Sequence, residues 1–169
     1  MHHEIGELGS DPFTVVAPDD AGRPEHGPFV LIDEQGTPYG VAGEDGRVLP
    51  VAVAPSTATL DELVKSAVGF IFLEEKEIPG IVLLGEDGRV EAFVSRRRAA
   101  RTLELVRFDG TRAAFENGGP SPQGKPETVL PGVNVRCACG AVNSFDYYAP
   151  SRGGACWKGH ALRAWSGGV

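Results

Sequence analysis

The amino-acid sequence predicts an α+β fold: a small mixed sheet with two helices, followed by a small β module at the carboxyl end. Three observations lead to this fold class. Short aliphatic runs bounded by Gly and Pro predict strands, amphipathic segments after residues 59 and 95 predict helices, and a cluster of Cys and His follows residue 136. A chain of 169 residues is long enough for one ordinary domain with a small satellite.

Composition and charge restrict the classes of function that the chain can have. The net charge is −7 and the pI is about 5.1, whereas proteins that bind nucleic acid over their whole surface are usually basic. No apolar run approaches the ~18 residues that a membrane span needs. The chain does not open with a basic and then apolar signal segment. We therefore expect a cytoplasmic protein without membrane contact.

Composition along the chain predicts four segments. Residues 1–28 are rich in Gly and Pro and predict a flexible amino-terminal segment. Residues 29–116 predict the α+β domain. Residues 117–131 contain four Pro and three Gly without an apolar period, which predicts a linker. Residues 132–169 contain all three cysteines and predict the carboxyl-terminal module.

The first half of the domain predicts strands and then a helix. Strands are predicted over residues 29–32, 39–42 and 47–54. Thr59 and Glu62 have the spacing of a capping box, in which the side chain of each residue accepts a hydrogen bond from the backbone N–H of the other. The helix that they begin has one apolar stripe and is predicted to stop at Gly69, before a further strand over 70–73. The stripe consists of Leu60, Leu63, Val64, Ala67 and Val68.

The second half predicts a hairpin followed by the second helix. Residues 81–84 and 89–94 flank a turn that contains Asp87 and Gly88, a pair that favours tight hairpin turns. Ser95 follows as a cap for a helix through about Val106. Its Arg side chains are predicted to face outward, with Ala99 and Leu103 facing the core.

Residues 50–106 resemble a single CBS (cystathionine-beta-synthase-type) module. The order helix, strand, hairpin, helix is similar, and residues 79–96 resemble the hairpin that leads into the family's second helix. The resemblance implies a regulatory module that works in pairs, here as a homodimer. Members that bind nucleotides carry an Asp three residues after the Ser, where this chain has Arg98. The resemblance therefore assigns no residues to a cofactor, and Ala92 also replaces a Gly that is frequent in the family.

Four residues near the carboxyl end have the spacing of metal ligands: Cys137, Cys139, Cys156 and His160. A close pair of thiols on a tight turn can hold one ion, and Gly140 gives the backbone the freedom for that turn. The second pair, Cys156 and His160, would complete a closed tetrahedral Zn²⁺ site of the Cys₃His type. With four protein ligands the ion has no open position, so its predicted role is structural.

The same segment is similar to zinc ribbons. Residues 142–148 between the two ligand pairs are β-prone, as a zinc-ribbon strand requires. Zinc ribbons usually have two residues between the first pair of cysteines, whereas this chain has one residue between Cys137 and Cys139. Three other interpretations of the cysteines remain open. They are a disulfide with one free thiol, a Cys-x-Cys redox pair, and a thiol enzyme that uses Cys156 with His160 as its base.

Taken together, these patterns predict a non-enzymatic regulatory or adaptor protein that binds a protein partner and contains a structural zinc site. The chain has no Gly-x-Ser-x-Gly, Walker or His-Glu-x-x-His motif, so no catalytic residue is predicted. The first alternative is a zinc-dependent nucleic-acid-binding module, because the carboxyl-terminal segment is locally basic. Its cations are Arg136, Arg152, Lys158 and Arg163. The second alternative is a thiol enzyme that uses Cys156 and His160.

Overall fold

The computed structural model describes residues 3–18, 27–43, 45–66, 69, 72, 74, 77–108, 131–146, 148 and 153–162. Gly69, Phe72 and Glu74 are helical, and the elements whose bounds the structure gives are a short 3₁₀ helix, eleven strands and two α-helices. Their bounds are 3₁₀ Ile5–Leu8, β1 Thr14–Val16, β2 Phe29–Ile32, β3 Pro38–Ala42, β4 Val48–Leu49, β5 Val51–Pro55, α1 Leu60–Lys65, β6 Gly80–Leu84, β7 Val90–Ser95, α2 Arg96–Phe108, β8 Gly132–Arg136, β9 Val142–Phe145, β10 Gly154–Ala155 and β11 Ala161–Leu162.

The largest sheet has five strands in the order β7-β6-β5-β8-β9. Strands β5 and β6 are parallel and the other neighbours are antiparallel, so the sheet is mixed. Strands β8 and β9 follow the predicted linker, yet they belong to the same sheet as β5 to β7. The subdivision of the chain at 117–131 stays a prediction, because all of this range except Pro131 lies outside the described residues.

A second sheet has the order β1-β2-β3-β4, with β1 parallel to β2. Strands β10 and β11 form a separate antiparallel hairpin of two residues each. The buried side chain of Asn134 on β8 donates a hydrogen bond of 2.8 Å to the carbonyl of Pro38 at the start of β3. This bond joins the two larger sheets.

The five-stranded sheet is covered on both faces, as the alternation along β6 shows. Ile81 and Leu83 belong to a core cluster that includes the helices, with Leu63 of α1 and Leu103 of α2. The intervening Val82 and Leu84 belong to a second cluster that reaches β2 and β3. Because strand side chains alternate between faces, one face packs on helices and the other on the second sheet. Mixed sheets with helices confirm the predicted α+β class.

The capping box at the start of α1 is confirmed. Thr59 Oγ1 accepts a hydrogen bond of 3.2 Å from the Glu62 N–H, and Glu62 Oε2 accepts one of 2.8 Å from the Thr59 N–H. The helix ends earlier than predicted, at Lys65, because Ser66 is extended and its hydroxyl donates to the Leu63 carbonyl.

The predicted end of the first helix at Gly69 and the predicted strand at Phe72 are wrong, because both residues are helical. Phe72 is fully buried in the helix-side core, so tertiary packing outweighs its preference for strands. Residues 67, 68, 70, 71 and 73 lie outside the described part of the chain.

The predicted hairpin is confirmed in β6 and β7, which pair in antiparallel fashion. Gly88 has a φ of +76°, which requires the freedom of glycine, and its N–H donates to the Gly85 carbonyl. Helix α2 then begins at Arg96 as expected, with Ala99 and Leu103 buried.

Part of the segment 1–28, for which the sequence predicts flexibility, packs against the domain. Ile5 is fully buried in the core, and its N–H donates to the Ala58 carbonyl at 2.8 Å. Strand β1 adds to the second sheet. These contacts are single residues and a three-residue strand, which are too short to give a detectable hydrophobic period.

Ser10 and Asp11 bind the outer edge of β7 and the start of α2. The Phe93 carbonyl accepts a hydrogen bond of 2.8 Å from the Asp11 N–H, and the Phe93 N–H donates to Ser10 Oγ at 3.2 Å. The Asp11 carboxylate accepts from the Ser95 N–H at 2.8 Å and pairs with Arg98 at 3.0 Å. Burial would raise the pKa of Asp11, but these hydrogen bonds outweigh it and lower that pKa below 3.8.

None of the helices in the described part of the chain is long and apolar enough to span a lipid bilayer.

We expect Asp11→Asn to lower the free energy of unfolding by about 1 kcal/mol at neutral pH, because it removes a charged acceptor at a helix start. A carboxyl whose pKa is depressed by folding stabilises the protein above its unfolded pKa, and this contribution is lost as the pH falls through the folded pKa. Urea unfolding of both proteins from neutral pH to below about pH 4 should therefore show the difference shrinking in acid. The exposed Glu86 provides the control variant Glu86→Gln. A difference between Asp11→Asn and the native chain that stayed constant into acid would contradict this account.

Candidate metal centre

The structure brings all four predicted ligands together. One ligand atom from each of Cys137, Cys139, Cys156 and His160 lies within 4.8 Å of the other three. The Cys139 and Cys156 sulfurs are 3.9 Å apart, and Cys137 Sγ is 4.0 Å from His160 Nδ1. Residues that are 17 to 23 positions apart in the chain therefore share one small volume.

The first pair lies in the turn that joins β8 to β9, residues 137–141, called here the first turn. The Cys137 N–H donates to the Ala141 carbonyl at 2.8 Å, and the Gly140 N–H donates back to the Cys137 carbonyl at 2.9 Å. Gly140 has a φ of +87°, a region that other residues rarely adopt. The turn thus closes tightly and presents its first and third side chains on one side.

The second pair lies in the turn that joins β10 to β11, residues 156–160, called here the second turn. Its backbone repeats the first turn: the Cys156 N–H donates to the His160 carbonyl at 2.6 Å, and the Gly159 N–H donates to the Cys156 carbonyl at 2.8 Å. Gly159 has a φ of +91°. The two turns differ in which positions carry ligands, since the first uses positions one and three and the second uses one and five.

This repeat explains the unusual spacing of the cysteines. Lys158 occupies the position in the second turn that Cys139 occupies in the first, and Ala141 occupies the position that corresponds to His160. The imidazole at the fifth position of the second turn and the thiol at the third position of the first turn both reach the cluster. The single residue between Cys137 and Cys139 is therefore compatible with convergence of all four side chains.

Hydrogen bonds to the sulfurs set different acidities for the three thiols. The Ala141 N–H donates to Cys139 and lowers its pKa, with a further contribution from the Lys158 ammonium. Burial raises the pKa of Cys156, but hydrogen bonds from the Lys158 N–H and the Asn143 side chain outweigh it, so that pKa is lowered. The Cys139 N–H lowers the pKa of Cys137, but burial and the neighbouring thiols outweigh it, so that pKa is raised.

The distances fit a shared ion better than a disulfide. A tetrahedral ion with bonds of ~2.3 Å to sulfur holds its sulfurs about 3.8 Å apart, close to the 3.9 Å between Cys139 and Cys156. A disulfide would need about 2.05 Å, and all three cysteines are free thiols. Cys137 and Cys156 are buried while Cys139 and His160 are exposed, so the cluster lies at the surface with two sulfurs turned inward.

Asn143 on β9 is a site residue that the sequence analysis missed. Its side chain is fully buried, and its Nδ2 donates to the Ala141 carbonyl of the first turn at 3.2 Å. Its Oδ1 accepts a hydrogen bond of 2.8 Å from the Trp157 N–H of the second turn. One amide thus ties the two turns together. The only signal in the sequence was a polar residue in a β-prone run directly after the first turn.

Two of the four predicted cations lie beside the cluster. Arg136 precedes the first turn, and its guanidinium stacks on the Tyr39 ring with 4.6 Å to the centroid. Lys158 belongs to the second turn, and its Nζ lies 5.1 Å from the Trp157 ring centroid. Arg152 and Arg163 lie outside the described residues.

Comparison with known proteins assigns no family. No family model matches the chain, and no curated protein does. One solved structure with some similarity is the cystathionine beta-synthase pair domain of a Shewanella oneidensis MR-1 protein. It has 14% sequence identity, a TM-score of 0.39, and coverage of 63% of this chain and 72% of that one. Similarity at this level assigns neither a family nor a function.

We expect Asn143→Leu to lower the free energy of unfolding by roughly 1–3 kcal/mol, because it leaves the Trp157 N–H without its acceptor and removes one of the two hydrogen bonds to the Ala141 carbonyl. Leucine has nearly the same shape, so the loss should come from the hydrogen bonds rather than from a cavity. Denaturant unfolding measures the difference. Ser144→Ala, at the next and half-buried position of β9, is the matched control and should change stability by less than about 0.5 kcal/mol. Equal stabilities for Asn143→Leu and the native chain would refute the bridging role.

Proposed function

We propose that Cys137, Cys139, Cys156 and His160 bind one structural Zn²⁺, and that the protein is a non-enzymatic regulatory or adaptor protein that binds a protein partner. The observation that carries the zinc proposal is the pair of matched turns. They bring three sulfurs and one ring nitrogen within 4.8 Å of one another. Three thiolates and an imidazole suit a tetrahedral zinc ion.

The proposed role of the ion is to hold the second turn in place. Strands β10 and β11 have only two residues each, so their backbone pairing contributes little stability, although Cys156 and Leu162 are buried in the main core. Bonds from Cys156 and His160 to an ion that Cys137 and Cys139 also bind would add stability to this hairpin. Four protein ligands leave no open position for a substrate, which favours a structural role over a hydrolytic one. The two hairpins would then form a zinc-ribbon-like module.

The regulatory part of the proposal depends on the resemblance of residues 50–106 to a CBS module. The parallel pair β5 and β6, the hairpin to β7 and the helix α2 occur in the order that the resemblance implies. A module of this kind would act by binding, as a homodimer or with another protein, and nucleotide binding is not part of the proposal. Arg98, which stands where nucleotide-binding members have an Asp, is paired with Asp11.

Elemental analysis of protein purified without added metal tests the zinc site. We expect about one zinc per chain, and its loss in Cys139→Ser and in His160→Ala. Lys158→Ser is the matched control, because Lys158 occupies in the second turn the position that Cys139 occupies in the first. This variant should retain its zinc. Metal-free native protein with unchanged stability in the presence of a chelator would contradict the proposal.

Alkylation separates the structural site from a thiol enzyme. With zinc bound, all three thiols should react slowly with iodoacetamide, and a chelator should speed the reaction of all three, since metal-bound thiolates are protected. Rapid and selective modification of Cys156 in the untreated protein would instead favour a nucleophilic cysteine with His160 as its base. Mass spectrometry of the peptides identifies which thiol reacts.

A further inference from the structure

A groove lies beside the candidate metal centre, between the two turns and the loop that joins β2 to β3. Its volume is about 490 Å³, within the range of binding pockets in proteins. Its wall on the side of the turns includes Arg136, Trp157 and Lys158, and its wall on the other side includes Asp33 and Glu34. We call this the turn groove.

The two cations of the turn groove are held in position without being neutralised. Arg136 stacks on Tyr39 and Lys158 lies over Trp157. Aromatic faces orient a cation but do not cancel its charge, as a carboxylate would. Among the described residues, neither cation takes part in a salt bridge. Neither charge is therefore paired with a carboxylate of the described residues, in a protein whose net charge is −7.

Trp157 offers an apolar surface whose orientation is fixed. Its Nε1 donates to the Val142 carbonyl at 3.2 Å, and its backbone N–H donates to Asn143 Oδ1 at 2.8 Å. The residue is nonetheless 44% exposed, which is unusual for a large hydrophobic residue in the described chain. An indole that is anchored by its edge and partly exposed loses little entropy when it binds a partner.

The opposite wall is acidic and selects against a polyanion. Asp33 is used within its own loop, where Oδ1 accepts hydrogen bonds of 2.9 and 2.8 Å from the N–H groups of Gln35 and Thr37. Glu34 is exposed beside it. A continuous phosphate backbone lying in the groove would approach both carboxylates. A peptide can instead place a carboxylate toward Arg136 and Lys158 and its own N–H groups toward Asp33 and Glu34.

We propose that the turn groove binds a peptide segment of a partner protein that carries an Asp or Glu next to an aromatic or aliphatic residue. The carboxylate contacts Arg136 and Lys158, and the apolar side chain packs on Trp157. This inference rests on the proposed function, because it identifies the surface and the chemistry through which the adaptor would recognise its partner. The zinc-bound turns would fix the positions of Trp157 and Lys158.

Selection of a random octapeptide library on the full-length, metal-loaded protein tests the proposal. The enriched peptides should contain an acidic residue adjacent to an aromatic or aliphatic one. The most enriched peptide, labelled with fluorescein, should bind Arg136→Glu, Lys158→Glu and Trp157→Ala at least about tenfold more weakly than the native chain. Arg97→Glu changes the net charge equally at an exposed position of α2 and should bind within about twofold. Failure to enrich such peptides, or equal binding by all variants, would overturn the proposal.

Two further measurements separate this inference from its alternatives. The single-stranded oligonucleotide (dT)₈ is titrated in parallel, and tighter binding of (dT)₈ than of any selected peptide would overturn the inference in favour of nucleic acid. Zinc content is measured for every variant used. Variants that retain zinc but lose peptide binding support the proposal that the turn groove binds a peptide. If the native chain holds zinc but selects no acidic peptide, only the peptide-binding proposal is overturned. If the native chain holds no zinc, the proposed function is overturned.

Discussion

The pairing of β8 with β5 is the constraint on which the arrangement of this protein depends. Strand β5 lies at the centre of the five-stranded sheet, with four of its five residues buried. Because β8 pairs with it directly, the first turn grows from the end of a strand that is anchored in the core. The position of Cys137 and Cys139 is thus set by strands of the five-stranded sheet.

The two halves of the candidate metal centre are therefore supported very differently. The first turn is held by a five-stranded sheet, whereas the second turn is held by a hairpin with two residues in each strand. Asn143, the hydrogen bond from Trp157 Nε1 to the Val142 carbonyl, and the burial of Cys156 and Leu162 in the main core connect the second hairpin to the five-stranded sheet. An ion bound by all four side chains would add strong bonds between the two turns, and it would stabilise the second turn most.

Features that depend on near neighbours in sequence could be predicted, and features that depend on distant ones could not. The capping box of Thr59 and Glu62, the turn at Gly88 and the two close pairs of candidate ligands all follow from local spacing. The entry of β8 into the main sheet, the burial of Ile5 and the helical state of Phe72 are decided by contacts with residues far away in the chain. Asn143 was missed because its importance comes from partners in another hairpin, and a single Asn in a strand carries no such information.

The binding of Ser10 and Asp11 along β7 has a consequence for how copies of this chain can associate. Strand β7 is the terminal strand of its sheet, and an uncovered terminal strand invites pairing with another molecule. Here the outward N–H groups of Phe93 and Ser95 are already engaged by the amino-terminal segment. A dimer that continued one sheet into the next through this side would first have to displace that segment. Shortening the chain past Asp11 would remove the cover and leave a ready template for aggregation.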